Sequence, residues 1–410
     1  MASSTHEVVV LGANFAGVNI THYLQRQVFP ILAPLTSQTF HLTLVSPNSH
    51  FYFKVAAPRA LINATLIPAE KIFKPLSESL AQYGESATFL QGKATAVDTK
   101  SKTVTVGSAG GEKTVKYDSL FICTGTTTES PLWTIHDDHE LSAKALKEMH
   151  QILPKTKSVL IAGAGPVGVE TAGEIAATYP DAQVTLVSGG DVLEKLPPGT
   201  INKAKQMLQD AKVEVITNVR VNQTSKSVDG TKVELSDGSS KTVELYIDAR
   251  GPTKVNSDFL PKSWLDSTGH VNTRDSYFRV KGDGAADVTG IYAVGDIVTG
   301  SANTAIELDA MVPCAASSFA VDVATKAGKE TTPSGGFLSF IPGFGSKGIS
   351  QKEFKPMKDT ILVPIGPNGG VGQAMGWSLP SFAVKKGKAE KFLVELVEPA
   401  VTGSKYAKVA

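Results

Sequence analysis

Two cysteines in 410 residues set the first limit on what this chain can do. Cys123 and Cys314 are far apart in sequence, and neither belongs to a C-x-x-C pair. That argues against a disulfide framework, a cysteine-based metal site and an active-site disulfide. It equally argues against onward electron transfer through an iron–sulfur cluster. Cys123 lies in the apolar run LFICTG and reads as a buried, inert thiol. Any redox chemistry must then run on a bound cofactor.

An excess of one charge is also missing. Lys and Arg number 40 against 39 Asp and Glu, which leaves no electrostatic footprint for nucleic acid. No apolar run approaches the ~20 residues of a bilayer-spanning helix. The N-terminus lacks a charged segment followed by an apolar one, so no signal peptide is expected. Ala2 stands where N-myristoylation requires glycine. A cytoplasmic protein is the expectation, with peripheral membrane contact through FLSFIPGF (Phe337–Phe344) as an alternative; its Pro and Gly suit a packed loop equally well. Oligomeric state is left open.

What is present is one pattern that occurs twice. EVVVLGANFAG and SVLIAGAGPVGVETAGEI both read as a strand, a glycine turn and a helix. In the second, Gly163, Gly165 and Gly168 fit G-x-G-x-x-G: one for the tight turn, one for close approach to a pyrophosphate, one for helix–strand packing. The helix N-terminus then offers unpaired N–H groups to phosphates. The following strand ends at Ser188, with neither an acidic residue for a ribose 2′-hydroxyl nor an Arg for a 2′-phosphate, so NADH and NADPH stay open. Asp191 lies close and reads equally as a turn cap.

The first turn, Gly12-Ala13-Asn14-Phe15-Ala16-Gly17, keeps its outer glycines and carries Asn14 in the middle. Asn tolerates turn and left-handed backbone better than most residues. Its strand partner ends at Ser46, where a carboxylate would be usual. Two further strand tips complete the set: Thr124–Gly125 after YDSLFIC, and Gly295–Asp296 in GIYAVGDI. A carboxylate at Asp296 can accept hydrogen bonds from polyol hydroxyls such as those of ribitol, although Asp after a strand is commonly a helix cap. A helix within Asn303–Val323 would aim its N-terminus at this site, with Pro313 marking a kink or a later start.

The length suits two or three domains. The fold expected is α/β: two Rossmann-like dinucleotide-binding domains, the second inserted in the first, plus a C-terminal α+β domain. The divisions are 1–125 and 255–330 for the first, 126–254 for the insert and 331–410 for the last. Helices are expected from Phe15 to before Pro30 and from a Ser142 cap.

The ordered motifs resemble the two-dinucleotide-binding-domain flavoproteins. GPVGVETAGEI, AAPRAL and ILVPIGPNGGVGQAMGW narrow the resemblance to the apoptosis-inducing-factor-like, ferroptosis-suppressor-like flavoproteins and their fungal relatives. These are similar in turn to type II NADH:quinone dehydrogenases. The resemblance spans nearly the whole chain. It implies FAD in the first unit, NADH or NADPH in the insert, and a quinone-like electron acceptor. By position, Gly12–Gly17 would hold the FAD pyrophosphate, Arg59 would add a positive contact to FAD, the backbone of Ala94 would meet adenine, and Asp296 would hold the ribitol. Glu170 would lie near flavin and nicotinamide; the alternative is a Glu placed for the helix dipole. Lys54 is a candidate partner for Glu170 or flavin N5, and a solvated Lys is the plain reading. Trp377 would either line the acceptor pocket or pack the third unit. Asn14 and Ser46 depart from the family pattern. Two rival functions remain: a tailoring flavin oxidoreductase of small-molecule biosynthesis, and a nucleotide-binding signalling or interaction protein.

Overall fold

A computed structural model describes residues 4–284, 287–332 and 349–409. The apolar segment Phe337–Phe344 lies outside the described residues. The first sheet has five parallel strands in the order Ile291–Ala293, Ser119–Ile122, Thr5–Leu11, Thr39–Ser46, Ala87–Gln91. Val8, Val10 and Leu11 are fully buried, the near-continuous apolar run of a parallel strand covered on both faces. The second sheet is also parallel, in the order Glu214–Ile216, Gln183–Val187, Ser158–Ala162, Leu245–Asp248.

The chain leaves the first sheet after Ser119–Ile122 and returns to it as Ile291–Ala293, so the second sheet is an insertion. The outgoing segment Thr126–Thr128 and the returning segment Pro252–Val255 pair antiparallel, which ties the two crossings together. A three-stranded antiparallel meander interrupts each parallel sheet in the chain, Lys93–Lys116 before Ser119–Ile122 in the first unit and Val221–Val243 before Leu245–Asp248 in the second. The C-terminal part has an antiparallel set, Ile361–Pro364, Gly370–Ala374 and Trp377–Ser378, followed by short helices. This is the expected α/β architecture with two Rossmann-like sheets.

Three helices differ from expectation. The helix expected from Ser142 begins at His139, because the Asp138 carboxylate accepts the Glu140 N–H (2.9 Å) and caps it earlier. The first helix, Phe15–Tyr23, continues through a wider turn into Phe29–Thr36 rather than stopping before Pro30. Pro30 falls just after the wider turn and has no N–H to donate; the Arg26 carbonyl, four residues back, accepts the Val409 N–H instead (3.2 Å). The helix Leu308–Lys326 starts before Pro313 and runs through it. It is long and apolar enough to cross a membrane by length and composition, yet 67% of its apolar window is buried inside the protein. Its apolarity is that of a core helix, packed against Phe15–Tyr23.

The C-terminus is fastened to the first unit by a buried histidine. His22 Nε2 donates to the Val401 carbonyl (2.7 Å), and Nδ1 accepts from the Tyr83 hydroxyl (2.6 Å). Burial lowers its pKa to about 4, so the ring is neutral near pH 7.

Candidate functional site

The two glycine turns are built alike. Gly12 (φ 95°) and Gly163 (φ 106°) need left-handed backbone. A Cβ on Gly12 would also lie 2.5 Å from the Cys123 carbonyl oxygen, and one on Gly163 would lie 2.7 Å from the Ala249 carbonyl carbon. Gly17 and Gly168 stand where a Cβ would strike the carbonyls of Gly12 and Gly163, so they are packing glycines set back from any ligand. The middle positions differ in purpose. Gly165 has φ of −72° and open space where a Cβ would be. Asn14 has φ of −111°, so its tolerance of left-handed backbone is not used. Its Oδ1 instead accepts the Tyr52 N–H (3.3 Å), which ties the turn to the strand His50–Tyr52. The helices that begin at Phe15 and Pro166 have no side-chain N-cap bond. Their first N–H groups are therefore available to a ligand.

Both turns open into one cleft of about 1610 Å³. From the first unit it is lined by Gly12–Ala16, Ser46, Lys54, Ala94, Thr124, Gly125, Gly295 and Asp296; from the second, by Gly163, Gly165, Glu170 and Ser188. Residues 302–306 and Leu308 also line it, so the long buried helix opens at the cleft as expected. Ser46 is buried and accepts from Asn48 Nδ2 (3.1 Å). Thr124 Oγ1 donates to the Asn256 carbonyl (2.7 Å), binding the strand tip to the returning chain. Lys54 pairs with Asp296 at 3.6 Å. The expected Lys54–Glu170 pairing is thereby corrected: Lys54 is partnered within its own unit.

Glu170 is 2% exposed, and its partner is Lys388, Nζ to Oε1 2.5 Å, contributed by the C-terminal part and missed in the sequence. It lies beyond the opening turn of its helix, which contains no acidic residue, so the dipole explanation is weakened. Burial pushes its carboxyl pKa up to about 7, against the lowering effect of Lys388. One turn further, Glu174 is held by Arg59 in a bidentate pair, both bonds 2.7 Å. Arg59 also donates to the carbonyls of Ala389 (2.5 Å) and Glu390 (3.2 Å) and stacks over Phe392 at 4.5 Å. Lys388 stands over the same ring at 5.7 Å.

This overturns the expected FAD contact of Arg59. Its donors are committed to a buried joint between all three parts of the chain, and it does not line the cleft. Gly173 completes the joint: a Cβ there would lie 2.6 Å from the Gly366 nitrogen, so the helix rests directly on the C-terminal turn. Phe392 and Leu393 both take left-handed backbone (φ 51° and 58°), a conformation that costs non-glycine residues about 1–3 kcal/mol. Trp377 neither packs nor lines the cleft; it is 80% exposed. The two cysteines are buried, and burial raises the pKa of both thiols, that of Cys314 to about 12. Among the described residues no group of His, Cys, Asp and Glu is arranged to hold a metal.

Residues 6–315 match the family of pyridine nucleotide-disulphide oxidoreductases. The chain belongs to this family. It is 32% identical over 402 residues to oxidoreductase ptaL of Pestalotiopsis fici, covering 97% of this chain and 99% of the relative. It is 24% identical to mouse ferroptosis suppressor protein 1, covering 94% and 93%. The NDH2 structure from Plasmodium falciparum shares the fold, with a TM-score of 0.64, 18% identity, and 96% and 98% coverage. As a pyridine nucleotide-disulphide oxidoreductase the chain works with FAD and with NADH or NADPH. The residues present fit that pair: two uncapped helix starts above two glycine turns, one continuous cleft, and the Asp296 carboxylate at a strand tip. The two buried, unpaired cysteines set this member apart from the disulphide chemistry in the family's name.

Proposed function

We propose that the protein is an FAD-dependent NAD(P)H oxidoreductase that passes electrons to a quinone-like acceptor. The observation that carries this reading is the single cleft into which both glycine turns open. At about 1610 Å³ it exceeds the ~300–1,000 Å³ of an ordinary small-ligand pocket and suits two dinucleotides meeting end to end. FAD, when bound, supplies the hydride-accepting and electron-passing chemistry; the protein's part is binding and positioning. In this reading Gly12–Ala16 hold the FAD pyrophosphate, and Ser46 and Ala94 lie toward its adenosine. Asp296, steadied by Lys54, takes the ribitol. Gly163 and Gly165 hold the NAD(P)H pyrophosphate, and Ser188 its adenosine ribose. Glu170 and Lys388 stand at the meeting point of the two units, where a carboxyl with a pKa near 7 can hold or release a proton. The divisions 1–125, 126–254, 255–330 and 331–410 belong to the same reading.

The quinone-like acceptor rests on the resemblance to ferroptosis-suppressor-like flavoproteins. A second reading keeps the same reductive half and gives the electrons to another small molecule; the full-length likeness to a fungal oxidoreductase favours it. Anaerobic mixing of the purified yellow protein with NADH or NADPH, followed by a panel of acceptors, tests both. Flavin bleaching and rapid reoxidation by a short-chain quinone are expected. Bleaching with no quinone turnover above the oxidase background would favour the second reading. A colourless protein that neither donor reduces would refute both.

A further inference from the structure

We propose that Arg220 is a 2′-phosphate-binding residue that makes NADPH the preferred electron donor. The proposal rests on the reading of Gly163–Gly168 as the NAD(P)H turn and adds the coenzyme it selects. In a Rossmann unit the residue at the end of the second strand meets the adenosine ribose, and a carboxylate there selects the free 2′-hydroxyl. Here that strand, Gln183–Val187, runs into Ser188-Gly189-Gly190. The position carries no carboxylate.

A cation reaches it instead, from the end of the neighbouring strand. Glu214–Ile216 lies beside Gln183–Val187 in the sheet, and Arg220 follows it by four residues. The Val219 N–H bonds the Ser188 carbonyl (2.9 Å), which fixes the two strand ends together. The Arg220 side chain then lies across Gly189: a Cβ on Gly189 would stand 2.7 Å from its Cγ and 3.0 Å from its Nε. Glycine at 189 is what gives the arginine this path. Both residues line the cleft.

Arg220 is exposed, and among the described residues its guanidinium makes no hydrogen bond or ion pair. Its neighbours are otherwise occupied. Asp191 is taken by Lys205 (2.6 Å), and Arg250 across the cleft is paired with Asp248 (2.5 Å). Lys195 also lines this end and adds a second positive charge. Glu194 is the opposing feature: its carboxylate stands over Gly190, in line with a ribose hydroxyl or against a phosphate. It is exposed, so its chain can turn to solvent when a dianion arrives. A planar guanidinium with five donors is the side chain suited to clasp that dianion.

Calorimetric titration of the oxidised flavoprotein with NADP⁺ and NAD⁺ tests this without turnover. NADP⁺ is expected to bind at least about tenfold tighter, the scale of one or two charge-assisted hydrogen bonds. Arg220→Gln should bring the two affinities together, and Glu194→Gln should widen the gap. Arg220 lies at the surface, so an unchanged melting curve is expected for the variant. Equal affinities in the natural protein, or a preference that survives Arg220→Gln, would overturn the assignment and leave the NAD(P)H site standing. Binding of neither nucleotide would overturn both.

Discussion

The reassignment of Arg59 makes a quantitative prediction. Replacing it with Met keeps most of the side-chain volume against Phe392 and removes the charge. Glu174 is 2% exposed and takes both oxygens to Arg59, so the substitution leaves a carboxylate buried without its partner. Removing one member of a buried pair costs about 3–5 kcal/mol. Burial already raises the Glu174 pKa against the influence of Arg59, so the variant carboxyl should take up a proton and stay near the lower end of that range. The double variant Arg59→Met/Glu174→Met removes both charges. What remains is the loss of donors to the carbonyls of Ala389 and Glu390, about 1–2 kcal/mol. The double variant should therefore be about 1–2 kcal/mol more stable than Arg59→Met alone, read from urea midpoints by tryptophan fluorescence at matched slope. Flavin content, from the visible-to-280 nm absorbance ratio, supplies the contrast. If Arg59 served FAD, the single variant would lose flavin with little change in midpoint, and the Glu174 change would rescue nothing. That result would refute the structural assignment.

Three further outcomes are expected. The rate of flavin reduction by NAD(P)H should inflect near pH 7, where Glu170 titrates; Glu170→Gln should abolish the inflection, and Lys388→Met should move it upward, because the cation that favours the carboxylate is gone. His22 has a folded pKa of about 4 against 6.5, so it contributes stability that is present above pH 6.5 and is lost as pH falls toward 4. The loss amounts to about 3 kcal/mol and should be absent from the pH dependence of the urea midpoint in His22→Gln. Asn14→Gly should leave flavin occupancy unchanged or higher, since its φ is unstrained and its side-chain bond to the Tyr52 N–H is long; a sharp loss of yellow colour on purification would show that the amide itself holds the cofactor.

What could be read from the sequence was what the chain encodes locally. Gly12 and Gly163 each need a positive φ and a missing Cβ within a few residues of a buried strand, so strand, turn and helix declare one another. The two parallel sheets follow from the same runs. The partnerships that orient the units were not visible, because they join residues with no shared pattern. Glu170 meets Lys388 across 218 positions, and Arg59 meets Glu174 across 115. Nothing near Lys388 distinguishes it from Lys385, Lys386 or Lys391; only the fold decides which cation reaches the buried carboxyl. Arg59 shows the converse error. The resemblance set the positive residue of AAPRAL against the cofactor, but the arginine had a closer claimant in Glu174, one turn beyond Glu170 on the same helix. That spacing is in the sequence: two acids at i and i+4 on a helix that must pack its face against something. Two buried carboxylates side by side require two cations, and the first unit and the C-terminal part supply one each. The joint that poises Glu170 near neutrality is therefore the same joint that fixes the insert against the rest of the molecule. A substitution at Arg59 should accordingly disturb the pH profile of flavin reduction as well as stability, while the flavin remains bound.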